Sequence, residues 1–295
     1  ASTVLRGIPD GCYRFRDVMD DDGLGQQDIA IEVAVTVSGG SVTVDFAGTA
    51  GQVSGNINCP LSVAAAGVFY VFRCLMPEQT PACAGSFRNI HLVAPPACLV
   101  NAHRPAAVAA GNVETSSRIV DVVMGALAQA LPEHIPAASQ GTMNNLAMGA
   151  RNATHSWDYY ETMGGGTGGG YSHPGLDATQ SHMTNTLNTP IEVLEMAFPL
   201  RVARYQLRSG SSGTGKHRGG EGLVRSFEFL EPTTVTLLTE RRCHPPWGLH
   251  TGQPGQCGEN RRNEDILPGK VSTRFEAGES LTVATPGGGG GGAGQ

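Results

Sequence analysis

Two glycine-rich stretches constrain the fold of this chain more than any other feature of its sequence. GGGTGGG occupies residues 164–170 and SGTGKHRGG occupies residues 212–220, in a chain with 41 glycines among 295 residues. Glycine allows the backbone to take positive φ and to come close to a ligand or to another backbone. Between the two stretches lies a polar, acid-bearing segment, TNTLNTPIEVLE, at residues 184–195. This arrangement predicts a functional site rather than a packing solution.

Each glycine-rich stretch has a ligand-binding and a structural interpretation. The backbone N–H groups of GGGTGGG can wrap a phosphate, but the stretch lacks the Lys-Ser/Thr ending of a P-loop. SGTGKHRGG resembles a phosphate cradle more closely, because Lys216, His217 and Arg218 lie among its glycines. For both stretches a tight structural turn is favoured over ligand contact.

The charge pattern and the cysteines exclude several classes of protein. The net charge is −6 and no run of Lys and Arg exceeds two residues, which argues against nucleic acid, whose binding rests on clustered basic residues. No apolar run approaches the roughly 20 residues that span a bilayer, and residues 1–15 lack the basic and apolar segments of a signal peptide. The seven cysteines are scattered without a C-x-x-C pair, which favours a reducing compartment. We therefore expect a cytoplasmic protein with no nucleic-acid or membrane partner.

The secondary-structure signals predict an α+β fold, with mixed helices and β-sheet and many Gly-rich loops. Apolar and polar side chains alternate over residues 29–37 and again over 42–46, on either side of a turn at 38–41, which predicts a hairpin. Two apolar segments have the length of buried helices, and Pro132 ends the second of them. These helices are predicted at residues 61–76 and 113–131, and further strands at 223–230, 233–239 and 281–284.

The composition changes along the chain, although the boundary signal is weak. Residues 1–140 are predicted to form a hairpin-plus-helices portion, and residues 141–295 a Gly-rich, strand-rich portion, both belonging to one domain type. Six consecutive glycines at residues 287–292 precede the final three residues. We expect this tail to be loose.

Several polar residues near the glycine-rich stretches are candidates for chemistry. His173, Asp177 and His182 have side chains that suit zinc, manganese or iron, but their spacing fits no compact metal motif, so a polar loop is favoured. Glu192 and Glu195 are three residues apart and can share a helix face, as an acid/base pair would. Because Pro190 precedes them, a helix start with ordinary capping residues is favoured over that pair.

The motif string as a whole resembles the hydantoinase B / 5-oxoprolinase family, nearly from end to end. The resemblance rests on DDDG at residues 20–23, VDFAGTAGQVSGNINCP at 44–60, NAHRPAAVAAGNVETSSRIVDVVMGALAQALPE at 101–133, AASQGT at 137–142, TNTLNTPIEVLE at 184–195, GTGKHRGGEGLVR at 213–225, PPWGL at 245–249 and TPGGGGGG at 285–292. Family chains are about twice as long, and this sequence resembles their C-terminal half. The family's metal-associated N-D-P-x-x-G-G-x-H-x-x-D stretch is absent here, so the resemblance places no metal ligand on this chain.

The resemblance implies an ATP-dependent complex. Family members act with a hydantoinase A-type ATPase subunit, and phosphorylation of an amide or enol oxygen makes the substrate reactive. The expected activity is opening of a hydantoin, 5-oxoproline or similar lactam ring; the alternatives are a component of a ketone carboxylase and an incomplete, non-catalytic scaffold half. ATP and a divalent metal are expected in the assembled complex and no cofactor on this chain. The expected partners are the ATPase subunit, a metal-bearing N-terminal half and a small cyclic amide.

The candidate site residues come from the glycine-rich stretch and the segment that follows it. We expect catalytic roles for Asn185, Glu192 and His182, and no metal ligand. We expect substrate binding by Gly164, Gly165, Gly166, Thr184 and Asp177. Glycine backbone permits close approach, and the amide and hydroxyl groups around Asn185 suit a ring carbonyl. These residues are predicted to face the metal-bearing half of the complex.

Overall fold

The structure of the protein is a computed structural model that describes residues 1–151 and 155–292. It contains both helices and several β-sheets, so the predicted α+β class is confirmed. The chain divides into two compact units, Ala1–Pro136 and Ala137–Gln295. The predicted division between residues 1–140 and 141–295 stays a prediction. Among the described residues, no helix has both the length and the apolar character needed to cross a membrane.

The first unit is built on a four-stranded sheet with the order β1-β2-β3-β4. A 3₁₀ turn at Ala84–Phe87 and a π-helical turn at Gly111–Thr115 join its longer elements. Those elements are α1 (Ser2–Gly7), β1 (Gly11–Asp21), β2 (Gln27–Ser38), β3 (Ser41–Asp45), α2 (Leu61–Leu75), β4 (Ile90–Val93) and α3 (Ser116–Leu127).

The predicted hairpin is confirmed as β2 and β3, which pair antiparallel with Val37 opposite Val42. Gly39 and Gly40 form its turn with φ of 57° and 82°, a region that only glycine enters freely. The five alternating apolar residues of β2 are all buried, namely Ile29, Ile31, Val33, Val35 and Val37. Strand β1 pairs along nearly the whole length of β2 and was not predicted from the sequence.

The two predicted helices are confirmed, with a shift at the ends of the second. The predicted segment 61–76 forms α2, which buries Val68, Val71 and Phe72. The predicted segment 113–131 forms the shorter α3, and every residue of α3 is buried. Its N-terminal extension is π-helical rather than α-helical. The periodicity of the apolar residues therefore located the helix but not the change of winding before it.

The second unit contains two sheets, with the orders β11-β10-β13-β8-β7 and β12-β9-β5-β6. The strands predicted at residues 223–230, 233–239 and 281–284 are confirmed as β8, β9 and β13. Apolar side chains of both sheets form one core cluster, which includes Phe227, Phe229 and Phe275. The elements are β5 (Asn145–Arg151), β6 (Ser156–Glu161), α4 (Ile191–Ala197), β7 (Leu200–Arg208), β8 (Gly222–Phe229), β9 (Thr233–Leu238), β10 (Glu259–Arg262), β11 (Asp265–Leu267), β12 (Lys270–Phe275) and β13 (Ser280–Ala284).

The final glycine run, expected to be a loose tail, is instead buried and hydrogen-bonded on all sides. The N–H of Gly288 donates to Gly220 O at 2.9 Å, that of Gly289 to Ala138 O at 2.8 Å, and that of Gly290 to Gln253 O at 2.9 Å. The N–H of Gly291 returns to the first of these three segments, at His217 O. The directions thus repeat every three residues, as in an extended helix with three residues per turn. The prediction was wrong for residues 287–292, because a glycine run has no side chains whose pattern reports burial. Residues 293–295 of the expected tail lie outside the described residues.

The backbones in this glycine bundle approach so closely that no side chain fits between them. A Cβ atom added to Gly289 would lie 2.1 Å from Trp247 O, and one added to Gly288 would lie 2.0 Å from Thr167 O. The GGGTGGG stretch is held in the same way, since a Cβ at Gly168 would lie 1.7 Å from Ala137 O. The glycines therefore pack against backbone, in agreement with the structural interpretation favoured for both stretches. That they also flank a site stays a prediction.

We predict that Gly289→Ala lowers the free energy of unfolding by about 3 kcal/mol or more, because the added methyl group displaces a backbone carbonyl that cannot move alone. Urea unfolding measured by circular dichroism checks this.

Gly7→Ala is the control, since nothing lies within 4 Å of a Cβ atom there. It should stay within about 0.5 kcal/mol of the wild type. Equal midpoints for the two variants would contradict the role assigned to the bundle.

Candidate functional site

The segment at residues 184–190, TNTLNTP, forms a loop between the GGGTGGG region and α4. We refer to it as the TNT loop. Its tip is exposed, and Leu187 keeps 97% of its surface accessible. Its base is held by polar side chains from β6, β7 and β8, of which those of Glu161 and Arg225 are buried. An exposed tip on a fixed base is the arrangement by which loops present functional groups from a rigid scaffold.

Glu161, at the end of β6, is the centre of that polar group. Its Oε2 atom accepts a hydrogen bond from the Tyr159 hydroxyl at 2.8 Å and another from Asn188 Nδ2 at 3.1 Å. The same oxygen lies 3.1 Å from Arg225 Nη1, in an ion pair whose side chains are 4% and 0% exposed. Within the described part of the chain, the other oxygen, Oε1, has no hydrogen-bond partner.

Arg225, in β8, is fully buried between two aromatic rings. Its guanidinium carbon lies 4.6 Å from the ring centre of Tyr205 and 5.2 Å from that of Phe227. Cation–π contact of this kind stabilises a desolvated guanidinium. The arginine therefore supplies the countercharge that Glu161 needs in a buried position.

The same group of side chains fixes the base of the TNT loop. Asn188 Nδ2 also donates to Thr162 O at 2.8 Å, and the Tyr205 hydroxyl donates to Asn188 Oδ1 at 3.2 Å. The hydroxyl groups of Tyr159 and Thr189 are 3.0 Å apart. Each contact joins the loop to a strand or to the residue that follows it, so the loop base is tied to β6 and β7.

Burial shifts the pKa values of two groups in this cluster. It raises the pKa of Glu161 above the usual range, although the charge of Arg225 and the hydrogen bonds from Tyr159 and Asn188 act in the opposite direction. Burial also raises the pKa of Tyr159 to about 12, against the lowering effect of its Thr189 contact. Tyr159 is therefore protonated at neutral pH and can donate its hydrogen bond to Glu161.

Asp177, predicted to bind substrate, is held by an arginine. Arg218 donates two hydrogen bonds to its carboxylate, at 2.7 Å and 3.0 Å, and the N–H of Glu221 donates a third at 2.8 Å. These bonds hold the pKa of Asp177 below its usual range, with Arg218 as the main cause. The carboxylate joins the segment that follows GGGTGGG to the end of the second glycine-rich stretch, and its role in substrate binding stays a prediction.

The three residues considered as metal ligands are not arranged as a metal site. No group of three or more His, Cys, Asp or Glu side chains in residues 1–151 and 155–292 has the geometry to hold an ion. Asp177 is bound to Arg218, and exposed His173 lies with its Nδ1 atom 3.1 Å from Pro174 O. His182 is partly buried and has a φ of 56°. Its catalytic role stays a prediction.

The remaining candidates divide into exposed and structural positions. Asn185 is exposed at the tip of the TNT loop, and Glu192 is exposed in the first turn of α4. Thr184 is buried, and its hydroxyl donates to Ser181 O at 2.7 Å. Gly164, Gly165 and Gly166 are buried against backbone atoms of neighbouring segments. Asn185 and Glu192 thus keep the accessibility that a role toward substrate requires, while the three glycines have a packing role in this structure.

The residues that hold the base of the TNT loop were not predicted from the sequence. Glu161 and Tyr159 lie in β6, which was not predicted. Arg225 was noted only as the last residue of the motif at residues 213–225. Arg225 lies in a strand whose residues are almost all buried, so a charged residue there was the available signal. Asn188 lay within the TNT loop but was not singled out.

We predict that Asp177→Asn lowers the free energy of unfolding at pH 7 by about 1 kcal/mol or less, since Asp177 and Arg218 are partly exposed. A carboxyl whose folded-state pKa is depressed stabilises the fold above its unfolded pKa and loses that effect as pH falls through the folded pKa. The difference between variant and wild type should therefore shrink as the pH falls below about 4 and vanish only below the folded-state pKa. Thermal unfolding between about pH 2 and pH 7 measures it.

Asp158→Asn is the matched control, because Asp158 and Arg151 form a pair at 3.4 Å with both side chains largely exposed. It should change stability little at any pH. A pH-independent loss in Asp177→Asn would show that the ion pair is not the cause.

Comparison with known proteins finds relatives that match most of this chain. The chain is 40% identical over 279 residues to 5-oxoprolinase 1 of Arabidopsis thaliana, covering 93% of this chain and 21% of the plant protein. It is 34% identical over 305 residues to a putative D-/L-hydantoinase subunit of a Pseudomonas species, covering 97% of this chain and 51% of that protein. The chain therefore spans about half the length of the bacterial subunit and a smaller part of the plant protein.

The fold also occurs in a solved structure. The ATP-dependent caprolactamase of Pseudomonas jessenii superposes with a TM-score of 0.87 at 23% identity, over 99% of this chain and 53% of the caprolactamase chain. A sequence profile described as Hydantoinase B/oxoprolinase matches residues 1–294. Since that match covers nearly the whole sequence, the chain belongs to the hydantoinase B/oxoprolinase family.

Proposed function

We propose that this chain is a component of an ATP-dependent amidohydrolase that opens a hydantoin, 5-oxoproline or similar lactam ring in the cytoplasm. Family membership over residues 1–294 supports the reaction class, as do relatives named as a 5-oxoprolinase and a hydantoinase subunit. The observation that carries the proposal is the TNT loop, whose tip is exposed while its base is fixed by buried polar contacts.

The residues at the loop tip suit a cyclic amide. The side-chain amide of Asn185 can donate to a ring carbonyl oxygen and accept from a ring N–H, which are the two polar groups of a lactam. Glu192 follows in the first turn of α4, where its side chain is exposed. The role we assign to this chain is to bind and orient the ring. We derive no metal-dependent step from its described residues, because they hold no metal-site arrangement.

The proposed complex supplies what this chain lacks. The chain spans 51% of the hydantoinase subunit's length, so a metal-bearing N-terminal half is the first proposed partner. A hydantoinase A-type ATPase subunit is the second, with ATP as the phosphoryl donor. We expect this chain to have no ring-opening activity without them.

The assay of the assembled complex separates this proposal from its two alternatives. Ring-opened product from ATP plus 5-oxoproline or a hydantoin supports the amidohydrolase. Carboxylated product from ATP, bicarbonate and a ketone, without ring opening, would replace it with the carboxylase. Absence of both products in a complex that hydrolyses ATP would support a non-catalytic scaffold.

We predict that Asn185→Ala and Glu192→Gln each lower kcat/KM of the assembled complex by about tenfold to a thousandfold, equal to roughly 1.4 to 4 kcal/mol of transition-state stabilisation. The melting temperature should fall little because both side chains are exposed. Steady-state kinetics and thermal unfolding measure the two effects.

Glu264→Gln is the control for the charge change, since Glu264 is exposed in the turn between β10 and β11. It should leave kcat/KM unchanged. Full activity in both loop variants would sink the assigned roles, as would loss of folding in both.

A further inference from the structure

We propose that Glu161 and Arg225 are positioning residues that hold the TNT loop in its binding conformation, with Tyr159 and Asn188 as the connecting groups. The proposal rests on the proposed function for its catalytic consequence. The structural mechanism concerns the loop of this chain alone and does not depend on the proposed function.

Side-chain contacts connect the base of the loop to Glu161 and Arg225. Asn188 donates to Glu161, and Thr189 contacts the Tyr159 hydroxyl, which itself donates to Glu161. Arg225 Nη2 lies 3.5 Å from Thr189 O. Each of the two residues of the loop base therefore has at least one polar contact that reaches this ion pair directly or through Tyr159.

Burial limits the net stability that the Glu161–Arg225 ion pair contributes. The ion pair is almost fully removed from water, and a buried pair of this kind contributes little net stability compared with apolar residues of the same size. The neighbouring strands already supply an apolar core that includes Phe227. What the pair adds is directional bonding, because hydrogen bonds to an ionised carboxylate are stronger and more oriented than apolar contacts.

Two hydrogen-bond donors and the Arg225 guanidinium meet at one oxygen atom of Glu161. Tyr159, Asn188 and Arg225 approach Oε2 of Glu161, while Oε1 has no hydrogen-bond partner among the described residues. Rotation of the carboxylate would disturb these contacts together. The loop base is therefore held as one cooperative unit, and removal of one connecting hydroxyl should loosen it.

Two adjacent tyrosines provide a matched test. Successive residues of a strand point to opposite faces, and the hydroxyl of Tyr160 donates to Asn145 Oδ1 at 2.6 Å, away from the loop. In hydrogen-exchange mass spectrometry of the chain, Tyr159→Phe should raise exchange by about tenfold in peptides that cover residues 186–189 together with Thr184 and Leu194, because the loop loses a hydrogen bond at its base. The N–H groups of Thr184 and Leu194 supply the protected amides, since they donate to Ser181 O and Pro190 O. Tyr160→Phe should leave those peptides unchanged.

The charge of Glu161 is tested separately. Glu161→Gln keeps the size of the side chain and one acceptor oxygen but removes the ion pair, so exchange at residues 186–189 should rise at least as much as in Tyr159→Phe. Exchange in β8 and β9 should stay close to that of the wild type. If Glu161→Gln does not fold, Tyr159→Phe still decides the matter, because it removes a single oxygen atom.

The kinetic readout links positioning to the reaction. In the assembled complex, Tyr159→Phe should lower kcat/KM for ring opening by about threefold to tenfold, consistent with misplacement of Asn185, and Tyr160→Phe should not. Faster loop exchange in a complex without ring-opening activity would refute the proposed function and leave the positioning role standing. Unchanged exchange at 186–189 in both variants, or an equal rise across all strands, would overturn the positioning role.

Discussion

Hydrogen bonding to a backbone without side chains determines the architecture of the second unit. Residues 288–291 donate in turn to segments around Gly220, Ala138 and Gln253. These segments come within bonding distance only because the glycine run carries no Cβ atom where they cross it. An apolar core gains its stability from area removed from water, whereas this bundle gains cohesion from satisfied backbone groups. The apolar sheets lie in the same unit and supply the hydrophobic contribution.

The bundle also explains where the candidate site lies. The GGGTGGG stretch enters the bundle, and the chain leaves it toward the TNT loop. Asp177, which follows the GGGTGGG stretch, accepts hydrogen bonds from Arg218 and from the N–H of Glu221 at the end of the second glycine-rich stretch. A loop that starts from such a rigid region needs few further contacts to become ordered. The polar group centred on Glu161 supplies those contacts at the other end of the loop.

The sequence predicted those parts of the structure in which side chains alternate or repeat. The β2–β3 hairpin followed from period-two burial, and α2 followed from a long apolar segment. The same reasoning failed at residues 287–292, because glycine carries no apolar signal whether it is buried or exposed. It also missed the Glu161–Arg225 pair, whose members are 64 positions apart in sequence. Asn185 and Glu192 were accessible to motif reasoning because they lie within one continuous segment.

The order of the glycine segments along the chain has a consequence for biosynthesis. The central run at residues 286–292 is the last of the segments in chain order, and its partners lie as far back as Ala138. During translation the earlier segments emerge with their inward-facing backbone groups bonded only to water. The bundle cannot close until this run leaves the ribosome. The groups that face the run wait for it, although the earlier segments can already bond one another, as the N–H of Ala137 does with Gly169 O. Glycine loses more conformational entropy on ordering than any other residue, so the centre of the unit is also the least able to form by itself.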